Sequence, residues 1–454
     1  MKLALSPKTP AAWLAADCSL QRSTGPFANR SRPLAGQHPK NQQIFGDPIG
    51  GMSSPITPIS SRIITILLAV VVLCISSVEI KAEKRGYVPE AGRVVKPDMV
   101  VVAEEDRGEY TCKLVEFSVD DSYVNSRGRK VKSTERINGY LLVPDLAEKG
   151  KCPALVMLHD HGARFDIGKE KLVKPIADVL PKGVDDHIYR SSQQWLDKYF
   201  DGVYVADSLA ALGYVVFVSD ALYWGERSSE ETQRWSELSY AKKGDESAES
   251  DRKLEAKVRK DTIKALRNRI YEGQRKVYSD HMDKGVIWAE KILRDDIASV
   301  SLVADLPYVD ETRIGAFGFS MGAHRCWLLS AFCDKVKCGA ALCWMTAMEG
   351  YEGGHVSDLS MRIQPMRDYL DFGDIAKFIA PKPMLFLNGA SDHLFSKELA
   401  QIAFDKMKAH YQDFETKSGI PSVKHLNTDF FDGGHHCGKE EQATIVSFFK
   451  KYLY

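Results

Sequence analysis

The chain lacks net charge: 61 lysines and arginines balance 61 aspartates and glutamates. No basic tail or stripe disturbs that balance, so the electrostatic footprint by which nucleic acid is held is missing. Cysteine is sparse over 454 residues, with nine at Cys18, Cys74, Cys112, Cys152, Cys326, Cys333, Cys338, Cys343 and Cys437. None stands in Cys-x-x-Cys spacing, and so few excludes a disulfide framework for a domain this large. Cys333 and Cys338 could pair in an exported protein; most of the rest read as small buried apolar residues. Internal repeats are absent. Long hydrophobic runs are absent too, since the most apolar stretch covers only residues 63–75, too short to span a bilayer comfortably. What remains, 44% hydrophobic and 27% charged residues, is an ordinary globular composition, long enough for one large α/β domain or two small ones.

Residues 1–51 are rich in Pro, Ser, Gln, Asn and Gly without apolar periodicity and are expected to be disordered. Arg62 then precedes the apolar run, and small and polar residues follow as far as Ala82. A short core behind a lone positive charge predicts a signal peptide over 52–82, with Met52 as the start and 1–51 an over-extended reading of the gene. The alternative is an uncleaved N-terminal anchor, the one arrangement that would bring the chain to a membrane. Residues 83–107 are expected to be a linker.

From residue 108 to 454, strand-like and helical segments alternate, which predicts an α/β domain with a mostly parallel sheet and helices on both faces. Eight strands are expected: 110–119, 137–143, 154–159, 214–220, 313–319, 339–345, 383–388 and 424–431. Between the fourth and fifth, Ala289, Ile292, Leu293, Ile297, Val300 and Val303 keep the spacing of an amphipathic helix. Ile445, Val446, Phe449 and Leu453 form a stripe on a closing helix. Two segments exceed the minimal alternation. One is 165–202. The other, about 226–285, is charged and helix-prone, and reads either as a cap over the strand ends that shapes a substrate cleft or as a solvated helical excursion.

The chemistry begins at Gly318-Phe319-Ser320-Met321-Gly322. An apolar strand precedes it and a helical run follows, the context in which Gly-x-Ser-x-Gly makes a nucleophile elbow. The turn forces the serine into a strained conformation, and the flanking glycines leave room for chains that approach closely. Acyl transfer by serine also needs a base, an acid to orient that base, and donors for the oxyanion. Asp392 opens the loop after the seventh strand and is the candidate acid, with Glu349, after the sixth strand, as the alternative. After the last strand, Gly433-Gly434-His435-His436 offers two imidazoles. His435 is preferred over His436 because it directly follows the glycines. The candidate oxyanion donors are the backbone N–H groups of Met321 and His161. His161 belongs to a His159-Asp160-His161 triplet that could instead converge on a metal. Arg325 faces either a substrate carboxylate or a nearby acid. His159, Arg325, Trp344, Glu349 and Tyr351 are further candidates for lining the pocket.

Eight strands with the elbow after the fifth is the order of an α/β-hydrolase, whose nucleophile, acid and histidine follow one another in that chain order. The stretches 154–162 (ALVMLHDHG), 213–227 (GYVVFVSDALYWGER), 309–322 (VDETRIGAFGFSMG), 379–395 (IAPKPMLFLNGASDHLF) and 433–437 resemble exported α/β-hydrolases related to dienelactone hydrolase and acetyl xylan esterase. They are most similar to esterase-like proteins found with polysaccharide-utilisation systems. The resemblance implies hydrolysis of a small-molecule or polysaccharide carboxylic ester without cofactor or metal. It departs from the pattern twice: dienelactone hydrolase proper has cysteine where Ser320 stands, and glucuronoyl methylesterases have arginine where Met321 stands. A peptidase of the prolyl-oligopeptidase type would need a propeller for which the chain has no room. A non-catalytic binding protein on the same scaffold would be expected to have lost a triad member.

Overall fold

The computed structural model describes residues 99–124, 128–176, 187–240, 249–348, 358–367 and 370–454. The expectations for 1–98, Glu349 and Tyr351 therefore fall outside the described residues. The strands are β1 Val100–Asp106, β2 Tyr110–Asp120, β3 Thr134–Pro144, β4 Cys152–Leu158 and β5 Val215–Ser219. After them come β6 Val309–Phe319, β7 Val336–Leu342, β8 Met384–Gly389 and β9 Leu426–Phe431. They make one nine-stranded sheet in the spatial order β1-β2-β3-β5-β4-β6-β7-β8-β9. The joins β1–β2, β2–β3 and β3–β5 are antiparallel and the other five are parallel.

Every residue of β4 and β5 is buried, as near-continuous apolar runs such as Ala154–Leu158 require when helices cover both faces of a parallel sheet. On those faces lie α1 His187–Tyr199, α2 Val205–Ala211, α5 Trp288–Ala304, α6 Met321–Phe332, α7 Lys397–Ser418 and α8 Lys439–Leu453. Helix α6 is buried from Met321 to Ala331, which matches its apolar composition all round. Helix α8 turns Ile445, Phe448, Phe449 and Leu453 inward. The segment 226–285 holds α3 Glu230–Tyr240 and α4 Glu249–Asp283, and α4 docks through buried Leu266 and Ile270.

The sheet exceeds the expected eight strands by one. Val100–Asp106, inside the span read as linker, pairs antiparallel with β2. Val100, Val101 and Val102 are exposed, so main-chain bonds at a sheet edge hold this strand with little apolar burial. Just beyond it, Arg107 and the Tyr110 hydroxyl both reach Asp207, at 2.5 and 2.7 Å. A short acidic edge strand leaves no alternating pattern to read.

Register decides where the site forms. Leu158 of β4 pairs with Gly318 of β6, Phe319 with Leu342 of β7, Leu342 with Leu387 of β8, and Gly389 with Phe431 of β9. The C-terminal ends of five adjacent strands therefore deliver their loops to one edge of the sheet, where ligands of open α/β sheets bind.

Candidate active site

Ser320 joins β6 to α6 with φ 54° and ψ −121°. That conformation costs a non-glycine residue about 1–3 kcal/mol and persists only where the surroundings over-determine it. Here the Ser320 N–H donates to the Leu342 carbonyl at 2.8 Å, and its own carbonyl accepts from the N–H groups of Ala323 and His324 at 2.8 and 3.2 Å. The glycines are required by close approach: a Cβ on Gly318 would stand 1.9 Å from the Gly322 carbonyl oxygen, and one on Gly322 would stand 1.9 Å from that of Leu158.

Asp392 lies in the loop after β8, with its side chain buried. One carboxylate oxygen accepts from the N–H groups of Leu394 and Phe395 at 2.8 and 3.3 Å. The other lies 2.8 Å from Nδ1 of His435. Nε2 of the same imidazole lies 2.9 Å from Oγ of Ser320. A carboxylate on Nδ1 keeps the proton there, which leaves the Nε2 lone pair for the serine hydroxyl.

The histidine loop is fastened to the acid loop. Ser391 donates its N–H and its hydroxyl to the Gly433 carbonyl, at 2.9 and 2.8 Å. A Cβ on Gly389 would meet the Gly434 oxygen at 2.2 Å, so glycine is obligatory there. Phe319 and Phe395 pack against the imidazole, with ring centroids 4.9 and 6.0 Å away. His436 turns elsewhere, to Asp201 on the surface at 3.0 Å.

Because a Cβ on Gly322 would press on the Leu158 and His159 carbonyls, the start of α6 abuts the loop after β4. The N–H groups of Met321 and His161 belong to these abutting segments. The His161 side chain is fixed: Nδ1 accepts from the Ala163 N–H at 2.9 Å, and Nε2 faces Asp358 at 3.2 Å. Gln274 of α4 donates to the same Asp358 carboxylate at 2.7 Å, which ties the inserted helix to this loop.

The pocket-lining expectations for His159, Arg325 and Trp344 are corrected. His159 is fully buried; its Nδ1–H donates to the Asp160 carbonyl at 2.9 Å and its Nε2 accepts from the Ala221 N–H at 3.0 Å. Burial, with Arg325 and Lys171 nearby, holds it well below the usual histidine pKa. With both nitrogens committed it offers no lone pair, so the metal alternative for the His-Asp-His triplet also falls. Arg325 is buried and pairs through two bonds, 3.0 and 2.6 Å, with Asp296 of α5, which is the nearby-acid alternative. Trp344 is buried among His324, Trp327, Phe372 and Phe395. Among the described residues, Cys343, Asp392 and His435 bring ligand atoms within 4.8 Å of one another. Burial pushes the Cys343 thiol pKa up, and both imidazole nitrogens already face Asp392 and Ser320, so this group fits a proton relay better than a cation site.

The family model described as the dienelactone hydrolase family matches residues 199–426, a span that includes Ser320 and Asp392. Among curated proteins, YtaP of Bacillus subtilis, provisionally named a hydrolase, is 22% identical over 269 residues, 58% of this chain and 68% of its own. A solved Bacteroides fragilis structure, provisionally described as an acetyl xylan esterase, superposes with a TM-score of 0.50 at 14% identity, covering 78% of this chain and 74% of its own. A glucuronoyl esterase from Solibacter usitatus gives a TM-score of 0.48 at 12% identity, covering 83% and 92%.

Proposed function

Because the chain belongs to the dienelactone hydrolase family, we propose that it is a serine carboxylic ester hydrolase that removes acetyl or methyl esters from polysaccharide or oligosaccharide. The observation that carries the reading is His435, whose two nitrogens bridge Asp392 and Ser320 at 2.8 and 2.9 Å. Ser320 Oγ attacks the ester carbonyl carbon while Nε2 of His435 takes its proton. The resulting oxyanion is held by the N–H groups of Met321 and His161. Collapse expels the alcohol, which receives the proton from His435 and leaves the acyl group on Ser320. A water, deprotonated by the same imidazole, then releases the acid and restores the serine. Asp392 stabilises the imidazolium that forms in both halves.

The polysaccharide assignment draws on the Bacteroides fragilis protein provisionally described as an acetyl xylan esterase. A secreted or periplasmic location is part of the proposal and rests on the 63–75 apolar core behind Arg62. N-terminal sequencing of the mature protein tests it, and a first residue upstream of Met52 contradicts it. The catalytic reading is tested with Ser320→Ala on p-nitrophenyl acetate, where turnover is expected to fall by several orders of magnitude. Unchanged turnover overturns it. Acetate or methanol release from acetylated xylan and methylated pectin tests the substrate class, and release from neither, with aryl ester still cleaved, removes it.

A further inference from the structure

The loop that carries the proposed second oxyanion donor is held by a buried lysine that the catalytic reading does not use. Lys171 sits in the short turn Lys169–Lys171 with its side chain wholly buried. Its Nζ donates to the Asp160 carbonyl at 2.7 Å and to the His161 carbonyl at 3.0 Å. The Asp160 carbonyl also takes the Nδ1–H of His159, and that of His161 also takes the indole N–H of Trp224 at 3.1 Å. The backbone beyond is a constrained turn, with Gly162 and Ala163 at φ 55° and 52°. A Cβ on Gly162 would strike the Trp195 ring at 2.2 Å.

The Asp160 carbonyl and the His161 N–H belong to one peptide unit. Such a unit is planar and trans, so its C=O and N–H point in opposite directions, and fixing one aims the other. An ammonium at the carbonyl oxygen also draws density through the partial double bond, which makes the N–H at the far side a stronger donor.

We propose that Lys171 is a positioning residue for the ester hydrolysis argued above: its ammonium, seated on the Asp160 and His161 carbonyls, aims and polarises the His161 N–H toward the oxyanion. The inference rests on the esterase reading and deepens it. The groups facing the ammonium are the Asp160 carboxylate at 3.6 Å, the Trp195 ring with its centroid 5.2 Å away, Asp166, Arg164 and His159. Burial is the largest influence and brings the Lys171 pKa down to about 8, Arg164 adding to the fall while Asp160 and Asp166 oppose it. Loss of this charge above that pH weakens the donor without emptying the site.

The test uses the full chain and p-nitrophenyl acetate, with Ser320→Ala as control. Lys171→Met should lower kcat roughly 10- to 100-fold, with KM within about twofold of the parent, because a misaimed oxyanion donor acts on the transition state. The parent's kcat should fall as pH rises through about 8, and Lys171→Arg, whose charge does not titrate there, should lack that fall. A folded Lys171→Met variant with kcat within threefold of the parent overturns the proposal. So does Lys171→Arg with the alkaline fall intact, and that arm decides the matter if Lys171→Met does not fold. Retained turnover in Ser320→Ala overturns the esterase reading itself. Lost turnover there, with Lys171→Met fully active, removes only Lys171.

Discussion

Nε2 of His435 lies 2.9 Å from Oγ of Ser320 although 115 positions separate the two residues. The neighbouring imidazole of His436 spends its Nε2 on Asp201 at 3.0 Å. Adjacent histidines therefore meet different fates, and kinetics can separate them. His435→Asn should lower kcat on p-nitrophenyl acetate roughly 10⁶-fold. His436→Asn should leave kcat within about threefold, and the reverse ranking would reassign the base.

Asp392→Asn should keep the bonds from the Leu394 and Phe395 N–H groups but lose the charge that fixes the His435 tautomer. Turnover should fall by roughly 10⁴-fold, while the thermal midpoint stays within a few degrees. A variant with near-parent kcat would show that the imidazole is oriented by something else.

Arg325 and Asp296 form a buried pair. Removing one partner strands a charge in the interior, so Arg325→Met should cost about 3–5 kcal/mol in urea unfolding. Arg325→Met combined with Asp296→Leu should recover most of that. A single variant of unchanged stability but raised KM would instead return Arg325 to the substrate.

Acid should destabilise the fold early. His159 and His324 are both held well below the usual histidine pKa, His324 by burial and by Arg367 and Arg325. Below pH 6.5 the unfolded chain binds protons at these sites and the folded chain does not. Unfolding free energy therefore falls with falling pH, by up to about 1.4 kcal/mol per unit for each histidine. His324→Phe, replacing a ring set 4.4 and 4.7 Å from those of Trp327 and Trp344, should flatten the slope between pH 6.5 and 5 by up to that amount. An unaltered slope would contradict the assignment.

The features that stood out in the sequence are those whose geometry demands particular residues locally. A strained serine between chains at contact distance needs Gly318 and Gly322. The eight expected strands, β2 to β9, and the amphipathic α5 followed from apolar patterning. What stayed hidden depends on tertiary partners. The environment of His159 is set by Ala221, 62 positions away, and Arg325 is paired with Asp296, 29 positions back. Lys171 lies in a short turn with no periodic pattern, and strand β1 buries too little for alternation to mark it.

The account stands on Ser320 as the nucleophile. Its most direct measurement is peptide mass spectrometry of the protein labelled with diisopropyl fluorophosphate, which reacts with an activated serine hydroxyl. One phosphoryl adduct on the peptide containing Ser320, absent from His435→Asn, is the predicted result. Ester hydrolysis that persists without an adduct at Ser320, or an adduct on another residue, would contradict it.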